Sequence, residues 1–576
     1  MSLAAAPALV RLPVWRARFV LVVFLAAFAV LVARSVYLQA MRTEFLQEKG
    51  EARYSRVLEV PATRGRVLDR NGEALAVSTP VKSIWMIPAD VEASAATKKK
   101  LARLLGLDMR ELAKKLAETD RDFVYLKRQV SPDTAEKVDA LGISGIYQQP
   151  EYRRYYPGGE GTAQLVGFTG VDDIGQEGIE LAYQSSLGGK PGSRRVIKDR
   201  LGRIVEDVES IRAARDGKDL TLSIDSKIQS LAYQALKDAV ASHRAKAGAI
   251  VALDVRTGEV LALANVPSYN PNNRAHLTGA QLRNRALTDS FEPGSTLKPF
   301  TIALALELGR VSPSTLLQTG AGKFAIGGYT IHDSHKEGAL TVAQVIQVSS
   351  NVGAAKIALE LPRQQMWEMF NRMGFGVAPG LGFPGESAGK LRPWKTWHPI
   401  EQATMAYGHG IAVSLMQLAH AYTVFARDGE LVPLTLLRTG TPAHGERVIS
   451  AQTAREVRRM LELAVQPGGT GPRARIMGWR VAGKTGTAHK EENGGYAADK
   501  YISSFVGFAP ASAPRIVIAV MIDEPDVALD YYGGLVAAPV FARVMKGALR
   551  MLDVPHDAPL EPLDMPGDGD EAKEST

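Results

Sequence analysis

Residues 19–33 read FVLVVFLAAFAVLVA, and this run limits what the chain can become more than any other feature of it. Tolerating Arg34 and Ser35 carries it to Leu38, a stretch of about twenty residues, which is what a helix needs to cross the hydrocarbon core of a bilayer. Arg11, Arg16 and Arg18 precede it, and cationic flanks stay on the cytoplasmic side. The sequence therefore predicts a cytoplasmic segment over 1–18, a transmembrane helix over 19–39 and everything later outside the cytoplasm. Arg34 can reach the interface along its own aliphatic stem, with Tyr37 at the same level. The rival reading is a cleaved signal peptide. Leu38-Gln39-Ala40 puts leucine where cleavage needs a small residue, so an uncleaved anchor is expected.

Composition narrows the chemistry of the part beyond the anchor. There are no cysteines, which excludes a thiol nucleophile, a disulfide framework and Cys-ligated metal sites, and suits an oxidising compartment. The net charge of +8 hides an asymmetry. Residues 553–576 hold eight acids against Lys573, so this stretch is −7 and the remainder is +15. A basic body attracts acidic polymers or a membrane surface; no nucleic-acid-binding module accompanies it, and no nucleic-acid partner is expected.

A chain of 576 residues has room for more than one domain. In residues 63–76, TRGRVLDRNGEALA, the Asn71-Gly72 pair between apolar segments predicts a hairpin. Helical stretches over 95–118 follow, then a helix capped by Ser131, with Pro132 at its first position, that stops at Gly142. Residues 151–214, rich in Gly and Arg, read as part of a pedestal or partner-binding module over 40–214. A strand at 220–224, a helix at 226–242 and a hairpin over 249–264 around Thr257-Gly258 open a second domain, 215–552. Strands at about 479–487, 501–509 and 515–523 close it as an antiparallel meander. Strands at both ends with helices between predict an α/β domain whose sheet is closed by its two termini. The Pro/Asp/Gly-rich acidic tail, 553–576, is expected to be disordered.

Three short motifs in the second domain carry the chemistry. Ser295-Thr296-Leu297-Lys298 opens an apolar helix running to Leu308, Ser349-Ser350-Asn351 follows another apolar segment, and Lys484-Thr485-Gly486-Thr487 lies on a late strand. This order of SxxK, SxN and KTG belongs to active-site-serine enzymes that attack D-Ala-D-Ala or β-lactams. Residues three apart share a helix face, so Lys298 Nζ can reach Ser295 Oγ and take its proton. That requires a lowered lysine pKa, which burial and a second cation, Lys484, would favour. The helix N-terminus adds partial positive charge. Ser349 supplies a hydroxyl to relay a proton and Asn351 an amide to hold the substrate's peptide. Gly486 leaves the strand edge open for close approach, the backbone N–H groups of Ser295 and Thr487 are the expected oxyanion donors, and Thr485 and Thr487 would bind a terminal carboxylate. No cofactor or metal is called for.

The same short strings occur elsewhere. Ser387-Ala388-Gly389-Lys390 fits SxxK but lies in a Pro/Gly loop, and Ser268-Tyr269-Asn270 fits SxN but precedes the nucleophile. Both read as structural. His332-Asp333-Ser334-His335 reads as surface more than as a metal site, and His409 between two glycines reads as a loop shaping the cleft more than as a general base.

At these motifs the chain resembles the class B penicillin-binding proteins, from the anchor to about residue 550. The resemblance extends to Arg64-Gly65-Arg66, Asp69-Arg70-Asn71-Gly72, Arg154-Tyr155-Tyr156-Pro157 and Gly178-Ile179-Glu180. Residues 288–294 and 34–39 are closer to the division-specific, FtsI type than to the elongation type. It implies a penicillin-binding/serine β-lactamase-like α/β (α+β) transpeptidase domain on a mixed α+β pedestal, with one N-terminal transmembrane helix in the inner membrane. It also implies a monofunctional D,D-transpeptidase (serine-type D-Ala-D-Ala transpeptidase/carboxypeptidase) that cross-links peptidoglycan stem peptides at the septum and is acylated by β-lactams. Because no glycosyltransferase domain precedes the pedestal, an FtsW-type glycosyltransferase and other divisome membrane proteins are the implied partners. His409, where the family often has an aromatic residue, is a departure that affects cleft detail.

Four alternatives stand beside this reading: an elongation-specific enzyme, a β-lactamase, a β-lactam sensor and a non-catalytic scaffold. A β-lactamase needs a glutamate that aims water at the acyl ester; Glu386 is the nearest candidate, and its Pro-Gly turn suits a structural cap better.

Overall fold

The computed structural model describes residues 13–41, 55–198, 204–334, 336–492 and 495–561. Residues 1–12, His335 and 562–576, on which some of the expectations above fall, lie outside the described residues. The apolar run forms a helix, Val14–Val36, that continues as a single turn, Tyr37–Met41. The stretch Val14–Gln39 is long and apolar enough to cross a membrane, and none of it is buried inside the protein. Its 26 residues rise about 39 Å at 1.5 Å each, so the helix starts earlier than the apolar run itself and is long enough to span a bilayer core with a margin.

The C-terminal domain is built on five antiparallel strands in the order Val260–Val266, Ala247–Asp254, Ile516–Asp523, Gly495–Ala509, Ala482–Glu492. The early hairpin thus pairs with the last strand of the late meander, closing the sheet with strands from both ends of the domain. Both faces are covered, which is why Ala247–Asp254, Val260–Val266 and Ile516–Asp523 read as nearly unbroken apolar runs. Ala249, Val251, Leu253, Val517 and Ala519 face one core, with Phe300, Leu418, Tyr422 and Phe425. Ile250, Ala252, Ile518 and Val520 face a second, with Ile228, Leu236, Phe541 and Val544 from the helices Ser226–Ser242 and Ala538–Met551. Asp225 starts the first of these helices, accepting from the N–H groups of Lys227 and Ile228.

Two late strands are longer than the sequence predicted. The extension runs through mostly polar, exposed or half-buried residues over 489–492 and 495–500, where apolar periodicity gives no signal, and it forms a two-stranded arm. Leu220–Thr221 is shorter than the strand expected over 220–224. The helix expected from Ser295 begins instead as a 3-10 turn, Gly294–Leu297, and becomes α-helical at Lys298–Glu307. The acidic tail also begins differently: over 553–561 the chain packs on the body, with Trp479 Nε1 donating to Pro555 O and Asp557 accepting from Arg480 N and Ser512 Oγ. A structureless tail from residue 553 is thereby corrected for these nine residues, because the donors they meet lie far away in sequence.

In the pedestal, residues from three separate sequence features form one buried ionic cluster. Glu180 accepts from Arg64 Nε at 2.6 Å and from Arg154 Nε at 2.7 Å, with all three side chains essentially without solvent contact. The remaining guanidinium donors go to Asp173 O, Gln184 Oε1, Glu180 O, Ser78 Oγ and Gly65 O. A buried charge persists only when paired and hydrogen-bonded in this way. The Asn71-Gly72 corner, with Gly72 at φ +89°, docks on the C-terminal domain: Asp69 accepts from Ser226 N, Asn71 Nδ2 donates to Asp225, and Arg70 pairs with Glu259. The second SxN string serves the same junction, since Ser268 Oγ donates to Glu160 O and Tyr269 OH to Ala163 O.

Candidate active site

The 3-10 turn decides the geometry of the first motif. With three residues per turn, positions i and i+3 eclipse, and Lys298 Nζ lies 2.8 Å from Ser295 Oγ. Ser295 is 2 % exposed and Lys298 fully buried. Pro299, in the first turn of the α-helix, forfeits no hydrogen bond there.

The second motif meets the same amine. Lys298 Nζ donates to Ser349 Oγ at 3.0 Å and to Ser349 O. Ser349 has φ +62°, a left-handed conformation that costs energy for a residue with a Cβ and here turns its carbonyl and hydroxyl to one lysine. Asn351 starts the helix Asn351–Leu359. Asp333 holds that start, its carboxylate accepting from Ser350 Oγ, Asn351 N and Val352 N at 2.6, 2.6 and 2.9 Å. The acid of the 332–335 loop is therefore a helix cap, and among the described residues no cluster of three His, Asp or Glu side chains could hold a metal. Asn351 Nδ2 donates to His332 O at 3.3 Å, while its Oδ1 is buried with no hydrogen-bond partner among the described residues.

The third motif is brought against the nucleophile turn. A Cβ on Gly486 would come within 2.5 Å of Ser504 Oγ, 2.8 Å of Pro293 O and 2.9 Å of Thr296 Cγ2. The glycine thus lets the strand lie directly on the turn that carries Ser295. Lys484, fully buried, donates to Thr470 Oγ1 and Thr485 Oγ1 at 3.3 and 3.2 Å, and the two threonine hydroxyls are 2.8 Å apart. Thr487 Oγ1 accepts from Gly533 N. Thr485 and Thr487, two apart on a strand, share a face.

Sequence reasoning missed Asp333, Thr470 and Glu292, whose partners lie 14 to 204 residues away along the chain; only the Gly468-Gly469-Thr470-Gly471 string hinted at a tight loop. His409 packs against the rings of Tyr407 and Tyr496. Burial pushes it down to about 4, helped by His489 and Lys298, so it is neutral at physiological pH. The decoy strings stay structural: Ser387 Oγ accepts from Gly389 N, Lys390 bridges Ala412 through the backbone, and Glu386 caps its own loop by accepting from the N–H groups of Gly380, Leu381 and Phe383.

A buried serine in hydrogen-bond contact with a lysine amine, backed by a second serine and a lysine-bearing strand, is the arrangement of a serine acyl-transfer enzyme. Residues 248–546 match the family model for the penicillin binding protein transpeptidase domain, and 59–222 match that for the penicillin-binding protein dimerisation domain. The chain belongs to the penicillin-binding protein transpeptidases. It is 45% identical to the "Probable peptidoglycan D,D-transpeptidase PenA" of Neisseria gonorrhoeae, over 95% of this chain and 94% of that protein. It is 42% identical to the "Peptidoglycan D,D-transpeptidase FtsI" of Escherichia coli K12, over 94% and 93%. The apo transpeptidase domain of Burkholderia pseudomallei penicillin-binding protein 3 superposes with a TM-score of 0.55 at 53% identity, covering 59% of this chain and 98% of that one.

Proposed function

We propose that this protein is the membrane-anchored D,D-transpeptidase that cross-links septal peptidoglycan during division, working through an acyl-enzyme on Ser295. The observation that carries the reading is the contact of Lys298 Nζ with Ser295 Oγ at 2.8 Å and Ser349 Oγ at 3.0 Å. Ser295 Oγ attacks the carbonyl carbon of the penultimate D-Ala, and its proton passes to Lys298. The C–N bond to the last D-Ala breaks, and the departing amine takes a proton relayed through Ser349. A neighbouring stem's amine then attacks the ester, surrenders a proton to the same pair, and frees Ser295.

Asn351 Oδ1, buried without a partner among the described residues, is a ready acceptor for a substrate amide, since an unmade bond there is costly. The backbone N–H groups of Ser295 and Thr487 receive the oxyanion. Lys484, Thr485 and Thr487 receive the terminal carboxylate, and Gly486 makes that arrangement possible by close packing. β-Lactams acylate Ser295 in the same way. The division role rests on the relative named FtsI and on residues 34–39 and 288–294; elongation is the alternative. The anchor and its arginines support a single pass in the inner membrane with the pedestal (40–214) and catalytic domain (215–552) in the periplasm. An FtsW-type polymerase is the fitting partner.

The test is release of D-Ala from a pentapeptide donor with and without an amine acceptor. Release should need Ser295 and rise with the acceptor. Equal release without acceptor would make the enzyme a carboxypeptidase or hydrolase.

A further inference from the structure

Glu292 lies three residues before Ser295, and no step above uses it. Its side chain is 8 % exposed, yet both oxygens are occupied. Oε1 accepts from Gly410 N at 2.6 Å, and Oε2 from Tyr496 OH at 2.9 Å. The two donors belong to different walls of the cleft. Gly410 ends the loop whose Gly408 lies so close to the nucleophile turn that a Cβ there would be 2.2 Å from Gly294 O. Tyr496 is on the arm that extends the strand pair bearing Lys484, and it is half exposed.

We propose that Glu292 is a positioning residue that fastens the arm of the Lys484 strand and the 408–410 loop to the nucleophile turn, and that it does so as a carboxylate. The inference rests on Ser295 being the nucleophile. An anion can accept on both oxygens. A proton on one of them turns that oxygen into a donor, which can no longer accept the Tyr496 hydroxyl's hydrogen in the same way. Burial pushes the carboxyl up to about 7; Glu491 on the arm adds to the rise, while Gly410 N, Tyr496 OH and Lys390 pull against it. His409, whose Nδ1 is 3.6 Å from Oε2, stays neutral, and His489 and Lys298 act on that ring from the arm and the nucleophile helix. Tyr407 packs on His409 from the loop side. The fastening therefore strengthens as pH rises through neutrality.

The stability consequence has the opposite sign. A carboxyl raised from 4.5 to about 7 keeps its proton in the folded state where the unfolded chain has lost it, so its contribution to stability falls as pH rises through that window. At pH 8 the ionised Glu292 burdens the fold while serving the cleft. A merely structural residue would stabilise the fold and support the rate together.

The experiment measures acylation by a fluorescent penicillin between pH 5.5 and 8, with melting temperatures, for the full chain, Glu292→Gln and Tyr496→Phe, after mapping the adduct to Ser295. Expected at pH 8 are a loss of about tenfold in acylation for Glu292→Gln, the size of one hydrogen bond to a charged group, and a smaller loss for Tyr496→Phe. The Glu292→Gln deficit should shrink toward pH 5.5, and its melting temperature at pH 8 should equal or exceed that of the wild type. Three results would overturn the proposal: unchanged rates in Tyr496→Phe, a pH-independent deficit, or a melting temperature that drops with the rate. Should Glu292→Gln not fold, its melting has dropped and the proposal fails with it. An adduct on another residue overturns the nucleophile assignment itself, and this inference with it.

Discussion

In the pedestal, Arg64 and Arg154 bury their guanidiniums on the two oxygens of one carboxylate, Glu180. In the cleft, Lys298 and Lys484 bury their amino groups against hydroxyl and carbonyl oxygens. Both clusters are out of water and both join elements far apart in sequence, yet they do different things. A guanidinium cannot give up its proton in a protein, and a carboxylate fork fixes its direction, so the first cluster only holds. An amine can change its protonation state and a serine hydroxyl can lose its hydrogen, so the second cluster can move a proton. Glu292 stands between the two cases, a buried carboxyl whose burial moves it to about 7.

The comparison breaks most visibly at Lys298. Lys298→Arg keeps a positive charge but removes the base, and acylation by a fluorescent penicillin should fall by about 10²–10⁴-fold, as far as for Lys298→Ala. Near-normal acylation in the arginine variant would mean that Lys298 works as a fixed cation, by the same rule as Arg64. Glu180→Gln should destabilise the protein by about 3–5 kcal/mol, since it strands two buried cations, while the protein that remains folded acylates at the wild-type rate. Denaturant unfolding of the two forms checks this, and a cost below about 1 kcal/mol would show that the pedestal cluster is not holding the fold. Gly486→Ala should cost about 1–3 kcal/mol through overpacking, and acylation should fall with it, because strand and nucleophile turn must separate. The smallest effect is expected at Thr470→Val, about 0.5–1.5 kcal/mol for one hydrogen bond, read as slower acylation with little change in melting temperature.

What the sequence made legible was local or periodic. The Ser295–Lys298 pair follows from three-residue spacing, the strand hairpins from apolar runs broken by turn residues, and the anchor from length and flanking arginines. The 3-10 form of the nucleophile turn was hidden, since α- and 3-10-helices place the same residues on one side. So was the meaning of Gly486, which depends on Ser504, Pro293 and Thr296 arriving at one point. Asp333 read as part of a surface loop because its partners are a helix start seventeen to nineteen residues on. The polar arm around 489–500 escaped for want of apolar alternation, and with it the bond from Tyr496 to Glu292. Arg64, Arg154 and Glu180 were noticed as features of a resemblance; that they are one ionic cluster is a fact of the fold.

The central claim is that Ser295, and no other serine in an SxxK string, carries an acyl group that water does not readily remove. Intact-mass spectrometry after a short penicillin pulse, followed by peptide mapping, tests it directly in the wild type, Ser295→Ala and Ser387→Ala. The account predicts a penicilloyl adduct on Ser295 that persists for many minutes, is absent from Ser295→Ala and is unchanged in Ser387→Ala. An adduct that vanishes within seconds, or that survives in Ser295→Ala, would contradict it.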